Sequence, residues 1–206
     1  RPLQTVTGPN ASGKTTMLKS VIINAILSQQ LGVGFFKSAI VVPYDYFHSY
    51  MNIPDTSGRD SLFQAEAKRC KTIKQCIENS RADCKDDNDE ACRVRHLCIL
   101  DELFSGTNPK DAVECSVLFL KYLLSAGGVD CMLSTHFADI CEILKSDDRV
   151  NNKLMEVVVD TNDVCAHGDG TSEPSSITHT YLLKNGISKV YGGRAILEQL
   201  GLTQMV

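Results

Sequence analysis

No stretch of this chain approaches the roughly eighteen consecutive apolar residues that a membrane-spanning helix requires, so no membrane role is expected. The start has neither an initiator methionine nor a charged-then-apolar leader. Arg1-Pro2 runs straight into a strand-like segment, which is expected of a piece of a longer protein lacking its upstream part. Positive charge is not in excess either. Lys and Arg number 21 against 25 Asp and Glu, and a formal net charge of −4 does not suit a chain that grips a phosphate backbone along its length. Any contact with double-stranded DNA is therefore expected through domains outside these residues. Cys-x-x-Cys spacings are missing as well, which removes a zinc knuckle and a dithiol redox site. The nine cysteines are odd in number, and the 206 residues are neither short nor loop-dominated, so a disulfide scaffold is not expected. Cys98, Cys115, Cys131 and Cys141 fall inside apolar segments, as free buried thiols do in a reducing intracellular compartment. Cytoplasm and nucleus are not separated by this. Cys84 and Cys92 flank an acidic loop and leave open a pair or a metal site. There is no internal repeat and no low-complexity tract.

What is present suits a packed core: 43% of residues are hydrophobic and 22% charged. Strand-like and helix-like segments alternate, which argues for an α/β layer fold with a mainly parallel sheet flanked by helices. Strands are expected at Leu3 to Thr7, Ala39 to Val42, Leu97 to Leu100, Val129 to Ser134, Leu154 to Val159 and Ile177 to Lys184. Helices are expected from Lys14 to near Gly32, from Ser61 to about Ser80, from about Pro109 to Ala126, shortly after His136, and from Val190 to Leu200. Loops are expected over Tyr44 to Asp60 and between the last two strands.

Gly8-Pro9-Asn10-Ala11-Ser12-Gly13-Lys14-Thr15 fits the pattern G-x-x-x-x-G-K followed by Ser or Thr, with a strand before it and a helix after it. The chemistry needs this arrangement. Glycines let backbone N–H groups turn inward around an anion, and the helix N-terminus adds its partial positive charge beneath. Lys14 is expected to reach the β- and γ-phosphates of ATP, and Thr15 to place its hydroxyl on Mg²⁺, with Thr16 completing the segment.

Asp101 and Glu102 close the apolar strand at Leu97 to Leu100. Adjacent residues at a strand end point to opposite sides, so the two carboxylates can divide their work. Asp101 is expected to serve the metal and Glu102 to orient the attacking water. Leu133-Ser134-Thr135-His136 sets a histidine at the end of another apolar strand. Ligands of doubly wound sheets sit at such carboxyl ends, so His136 is read as a γ-phosphate sensor.

Further motifs narrow the choice. Thr7-Gly8-Pro9-Asn10 with Gly13-Lys14-Thr15-Thr16 resembles the MutS and ABC-type ATPases, in which the Asn after Pro faces the γ-phosphate. Ile40-Val41-Val42-Pro43 is similar to the strand and proline that follow the first helix in the MutS family. Ser61-Leu62-Phe63-Gln64-Ala65-Glu66 resembles its Ser-Thr-Phe-x-x-Glu segment. Asp101-Glu102-Leu103-Phe104-Ser105-Gly106-Thr107 resembles its Asp-Glu-x-x-x-Gly-Thr signature, and Ser134-Thr135-His136-Phe137 its Thr-His-Tyr. Gly186-Ile187-Ser188 through Tyr191-Gly192 looks like the approach to its C-terminal helices.

This resemblance implies a P-loop NTPase fold of the ABC type over residues 1–186, and the start of a helical dimerisation segment over 187–206. It implies an Mg²⁺-dependent ATPase that switches a DNA mismatch-repair protein between conformational states. It implies a homodimer or heterodimer with composite sites, in which Ser61 reaches the γ-phosphate bound by the other subunit. From its own neighbours Ser61 reads as a helix N-cap forming a capping box with Gln64, and both roles are compatible. The family's adenine-contacting strand and its mismatch-reading, lever and clamp domains are expected elsewhere in a longer protein.

Departures from the family pattern mark a divergent branch. Leu62 stands where Thr is usual, Phe104-Ser105 replaces Gly-Arg, and Asn108-Pro109-Lys110 replaces Ser-Thr-Tyr. The polar stretch from Asp160 to Ser176 has no counterpart in the pattern. Two alternatives stand beside the repair ATPase. Another ABC-type ATPase requires a Leu-Ser-Gly-Gly-type signature before the Asp101 strand, and none is there. A nucleotide-gated assembly module with little turnover predicts loss of the catalytic carboxylate, yet Glu102 is present.

Overall fold

Leu97, Cys98, Ile99 and Leu100 are apolar without a break, and a strand built that way has to be covered on both faces. A computed structural model describes residues 2–53, 61–82, 94–160 and 176–190 and shows how this is done. The elements follow in the order β1 (Leu3–Thr7), α1 (Lys14–Leu31), β2 (Tyr46–Tyr50), α2 (Leu62–Ala82), β3 (His96–Asp101), α3 (Pro109–Ala126), β4 (Val129–Thr135), α4 (Ala138–Leu144), β5 (Val150–Asp160) and β6 (Ser176–Asn185). The strands form one six-stranded sheet in the order β2-β3-β4-β1-β5-β6. All neighbours are parallel except β5 and β6, which run antiparallel. The expected α/β fold with a mainly parallel sheet flanked by helices is the one observed.

Alternation along β3 divides the core in two. Cys98 and Leu100 face one cluster with Ile73 and Ile77 of α2, Leu120 and Leu123 of α3, and Ile140 of α4. Leu97 and Ile99 face the other, with Val6, Met132, Met155 and Leu18 of α1. Burying each of these aliphatic side chains contributes roughly 1.5–3 kcal/mol.

Caps explain the helix limits. Gly13 precedes α1 at φ 94°, and Gly32 ends it at φ 70° with its N–H on Ser28 O, a left-handed close that glycine adopts without strain. At α3 the Asn108 side chain accepts from Asp111 N at 3.0 Å, and Pro109 fills the first helical position.

One expected strand is corrected. Ala39 to Val42 is not a strand: Ile40 is 99% exposed, and the segment carries no sheet pairing. The strand after α1 is instead Tyr46–Tyr50, inside the stretch read as a loop, and it pairs in parallel with His96 to Leu100. A run of β-branched residues suits a strand only where a sheet edge can receive it. Here Gln29 clamps the chain just beyond, donating to Tyr44 O at 2.7 Å and accepting from Tyr44 N at 2.9 Å. Arg95 donates to Val42 O at 3.0 Å, which leaves the apolar run outside the sheet. β5 also begins earlier than Leu154. Its polar start is disguised, because Asn152 accepts a hydrogen bond from Thr5 of β1 at 2.6 Å.

Cys98, Cys131 and Cys141 are buried free thiols as expected, whereas Cys115 is a free thiol only half-buried on α3. Burial pushes Cys98 up to about 12 and Cys141 up to about 11, so neither is a ready nucleophile. Among the described residues no helix is long and apolar enough to cross a membrane, and no group of His, Cys, Asp and Glu side chains forms a metal cluster. The acidic run 83–90, Cys84 and Cys92, and all but the first residue of the helix expected from Val190 to Leu200 lie outside the described residues, as do 161–175 of the polar stretch.

Candidate nucleotide site

β1, β4 and β3 are neighbours and parallel, so their carboxyl ends open on the same edge of the sheet. Residues 8–13 follow β1, Glu102 follows β3, and His136 follows β4. Topology thus brings three separate motifs to one place, where doubly wound sheets bind ligands.

The turn after β1 depends on its glycines. A Cβ on Gly8 would lie 2.9 Å from Ser12 Oγ and 3.1 Å from Met155 Cβ; one on Gly13 would lie 3.2 Å from the Tyr181 ring. Ala11 also sits in the left-handed region, at φ 62°. Lys14 is nearly enclosed, at 6% exposure. Its ammonium donates to Gly8 O at 2.9 Å and Pro9 O at 3.1 Å and stands 3.6 Å from Glu102 Oε1. Ser12 Oγ is buried in the same turn with no hydrogen-bond partner among the described residues, a cost repaid when an acceptor enters.

Thr15 donates to both oxygens of Asp101, and Ser134 of β4 donates to Asp101 Oδ1. Glu102 turns the other way. Its backbone is left-handed at φ 52°, a strain of order 1–3 kcal/mol for a residue with a Cβ, and its N–H donates to Ser134 O at 3.0 Å. Its carboxylate accepts from His136 Nδ1. Burial pushes the Glu102 carboxyl up, but the hydrogen bond and charge of His136 and then the charge of Lys14 outweigh it and hold the group below the usual carboxylate value.

A cavity of about 740 Å³ over the turn is lined by Asn10, Ala11, Ser12, Gly13, Lys14, Thr15, Thr16, Glu102, Ser105, His136 and Tyr181. On the other flank Gly8, Pro9, Asn10 and His136 border a second hollow, with Pro109 and Ser188. The structure therefore gathers Gly8 through Thr16, Asp101, Glu102 and His136. Ser61 is not among the cavity's residues. It caps α2 instead: Gln64 N donates to Ser61 Oγ at 3.3 Å, and Ser61 N donates to Gln64 Oε1 at 3.0 Å, the reciprocal capping box read from the sequence.

Two lining residues escaped the sequence reading. Tyr181 enters from the antiparallel strand β6, held at φ 58°, opposite a register shift between Met155 and Val157. Ser105 comes from the turn after Glu102. Tyr181 has no local signature and is recognisable only once the sheet is closed, whereas Ser105 fills a variable position of the Asp101-to-Thr107 segment.

With a strand, a glycine-bounded turn, two carboxylates and a histidine set in this order, the family model MutS domain V matches residues 4–202. The chain belongs to the MutS domain V family. DNA mismatch repair protein MutS of Pseudothermotoga lettingae is 28% identical over 161 residues, covering 77% of this chain and 18% of that protein. MutS protein homolog 4 of Homo sapiens is 28% identical over 197 residues, covering 92% and 18% respectively. Endonuclease MutS2 of Clostridioides difficile is 24% identical over 208 residues, covering 98% and 22%. This MutS-family chain thus spans about a fifth of the length of these curated relatives. The family expected from the motifs is the family found.

Proposed function

We propose that the chain is the ATP-binding and ATP-hydrolysing domain of a MutS-like DNA repair or recombination protein, a nucleotide-driven switch from a divergent branch of the family. The observation that carries this is the convergence of Lys14, Thr15, Asp101, Glu102 and His136 on one turn that has an unpartnered buried hydroxyl, Ser12, within it.

Phosphates suit the turn because its N–H groups, the start of α1 and the Lys14 ammonium all offer positive charge to one place. Lys14 exchanges the Gly8 and Pro9 carbonyl oxygens for phosphate oxygens on binding. Thr15 and Asp101 form a set of hard oxygen donors that fits Mg²⁺ and would hold it. Magnesium, when bound, neutralises phosphate charge as it develops. Glu102, kept ionised by His136 and Lys14, accepts a hydrogen bond from the attacking water and aims it. His136 holds that carboxylate in place and offers its other ring nitrogen to the γ-phosphate side. Tyr181 gives the cavity a flat apolar wall.

In this reading 1–186 is the ATPase unit and 187–206 is the start of a dimerisation segment. Ser61, exposed at the head of α2, is read as the residue that meets the nucleotide of a second subunit. DNA is contacted by domains beyond this chain. Membership of the MutS domain V family removes other ABC-type ATPases as the alternative.

The test is ATP hydrolysis by the full-length protein with Mg²⁺, with and without mismatched duplex DNA, beside Glu102→Gln. A rate that responds to mismatched DNA, and a variant that binds ATP but stalls, support the repair switch. Hydrolysis indifferent to every DNA tested removes the mismatch assignment and leaves the ATPase.

A further inference from the structure

Glu66 lies on the inner side of α2 at 2% exposure, and the reaction outlined above gives its carboxyl nothing to do. A buried carboxyl persists only where donors satisfy it. Here Ser105 Oγ donates to Oε1 at 3.1 Å, and Gly106 N donates to Oε2 at 3.2 Å. The Tyr50 phenol lies close enough to the same carboxyl to feel its charge, and it accepts from Phe104 N at 3.1 Å. Each of these groups belongs to the turn that leaves β3 after Glu102 or braces it.

That turn cannot hold itself. Glu102 and Phe104, both with side chains, sit in the left-handed region at φ 52° and 55°, which requires fixing from outside. The head of α2 supplies two more fixings. Leu62 packs so closely on Gly106 that a Cβ there would lie 2.7 Å from Leu62 Cγ, and the rings of Phe63 and Phe104 are 5.7 Å apart.

We propose that Glu66 is a positioning residue for hydrolysis: it fixes the turn that aims Glu102 and joins that turn to the helix whose first cap is Ser61. The inference rests on the hydrolytic reading of the site. It explains why a carboxylate, with two acceptor oxygens, occupies the position. An amide would turn an NH₂ toward a donor and leave the turn half-held. It also means that a force on Ser61 reaches Glu102 through one rigid segment, without passing through the nucleotide.

The experiment compares full-length wild type with Glu66→Gln, Ser105→Ala and Tyr50→Phe, reading kcat, affinity for a fluorescent ATP analogue and the urea unfolding midpoint. Glu66→Gln is expected to lower kcat on the order of 100-fold, the effect of a small misplacement of a reacting group, with nucleotide affinity unchanged. Ser105→Ala and Tyr50→Phe give smaller losses of the same kind. The double variant of Glu66 and Ser105 falls no further than Glu66→Gln alone, because both remove one link. Should Glu66→Gln not fold, the two milder variants decide, and unchanged kcat in both overturns the proposal. So does a Glu66→Gln protein with wild-type kcat, or one whose kcat and nucleotide affinity fall together with stability. A wild type no faster than Glu102→Gln overturns the hydrolytic reading itself, and this inference with it.

Discussion

The hydroxyl of Thr15 stands 2.9 Å from Oδ2 and 3.1 Å from Oδ1 of Asp101, although 86 positions separate the two residues in the chain. One hydroxyl cannot donate fully to two oxygens, so the pair is a ready opening for a cation that takes oxygen ligands from both. Thr15→Ser is expected to hydrolyse ATP at nearly the wild-type rate. Thr15→Ala and Asp101→Asn are expected to need far more Mg²⁺ for half-maximal rate and to lose on the order of 100-fold in kcat. Magnesium titrations of the four proteins check this; overlapping curves would remove the metal role from the pair.

Glu102 and His136 make a second pair with a pH signature. Glu102 has a lowered pKa in the fold, so its charge survives below the ordinary carboxylate value of 4.5, and stability linked to that charge is lost only as pH falls through the lowered value. His136→Ala deletes the hydrogen bond and charge that oppose burial, so the Glu102 pKa rises. The acid limb of the kcat–pH profile is expected at higher pH in His136→Ala than in wild type. Coincident acid limbs would mean that His136 does not tune Glu102. Glu102→Gln itself is expected to bind ATP and lose on the order of 1,000-fold in kcat.

Ser61 has two roles that one substitution separates. Aspartate caps a helix as well as serine does, so Ser61→Asp keeps an acceptor for Gln64 N and is expected to leave stability within about 0.5 kcal/mol of wild type. Ser61→Ala is expected to cost about 1 kcal/mol. If Ser61 meets the γ-phosphate of a second subunit, the aspartate places like charge there, and hydrolysis by the dimer collapses although the fold is sound. Ser61→Asp with wild-type turnover would leave Ser61 as a cap alone.

The parts legible in the sequence share a cause. α1 and α3 were bounded correctly because Gly13, Gly32, Asn108 and Pro109 act locally, through backbone conformation and one-turn hydrogen bonds. Asp101, Glu102 and His136 stand out as candidates because an apolar strand ending in a polar residue is visible as a string of letters. β2 was missed for the opposite reason. Its buried side of His48 and Tyr50 looks polar until His96 and Tyr46 are stacked beside it, while the more strand-like Ala39 to Val42 has no sheet edge to join. Tyr181 and the bonds of Glu66 depend on strands and turns meeting from distant parts of the chain, which no local pattern encodes.

His48 of β2 and His96 of β3 carry a consequence for acid stability. Ser80 Oγ donates to Ile77 O at 2.9 Å, so it accepts from His96 Nε2 at 3.0 Å. His96 Nδ1 is then an acceptor, filled by His48 Nε2 at 2.9 Å. Both rings are neutral in this chain of bonds, and a proton added to His96 Nδ1 would set two N–H groups against each other. Burial lowers His48 to about 4, aided by the charges of His96 and Arg69; burial also lowers His96, against the pull of Asp45. The folded pKa lies below the unfolded value of 6.5, so the unfolded chain binds more protons between them and stability falls as pH falls through that window. Across the whole window His48 alone contributes up to about 3 kcal/mol of that loss. His48→Phe keeps a ring beside Tyr46 but leaves His96 Nδ1 without its donor. It is expected to be less stable than wild type near about pH 7, yet to lose less on going to about pH 5. Urea unfolding of both proteins at the two pH values measures the difference; equal losses would show that the pair is not held neutral by the fold.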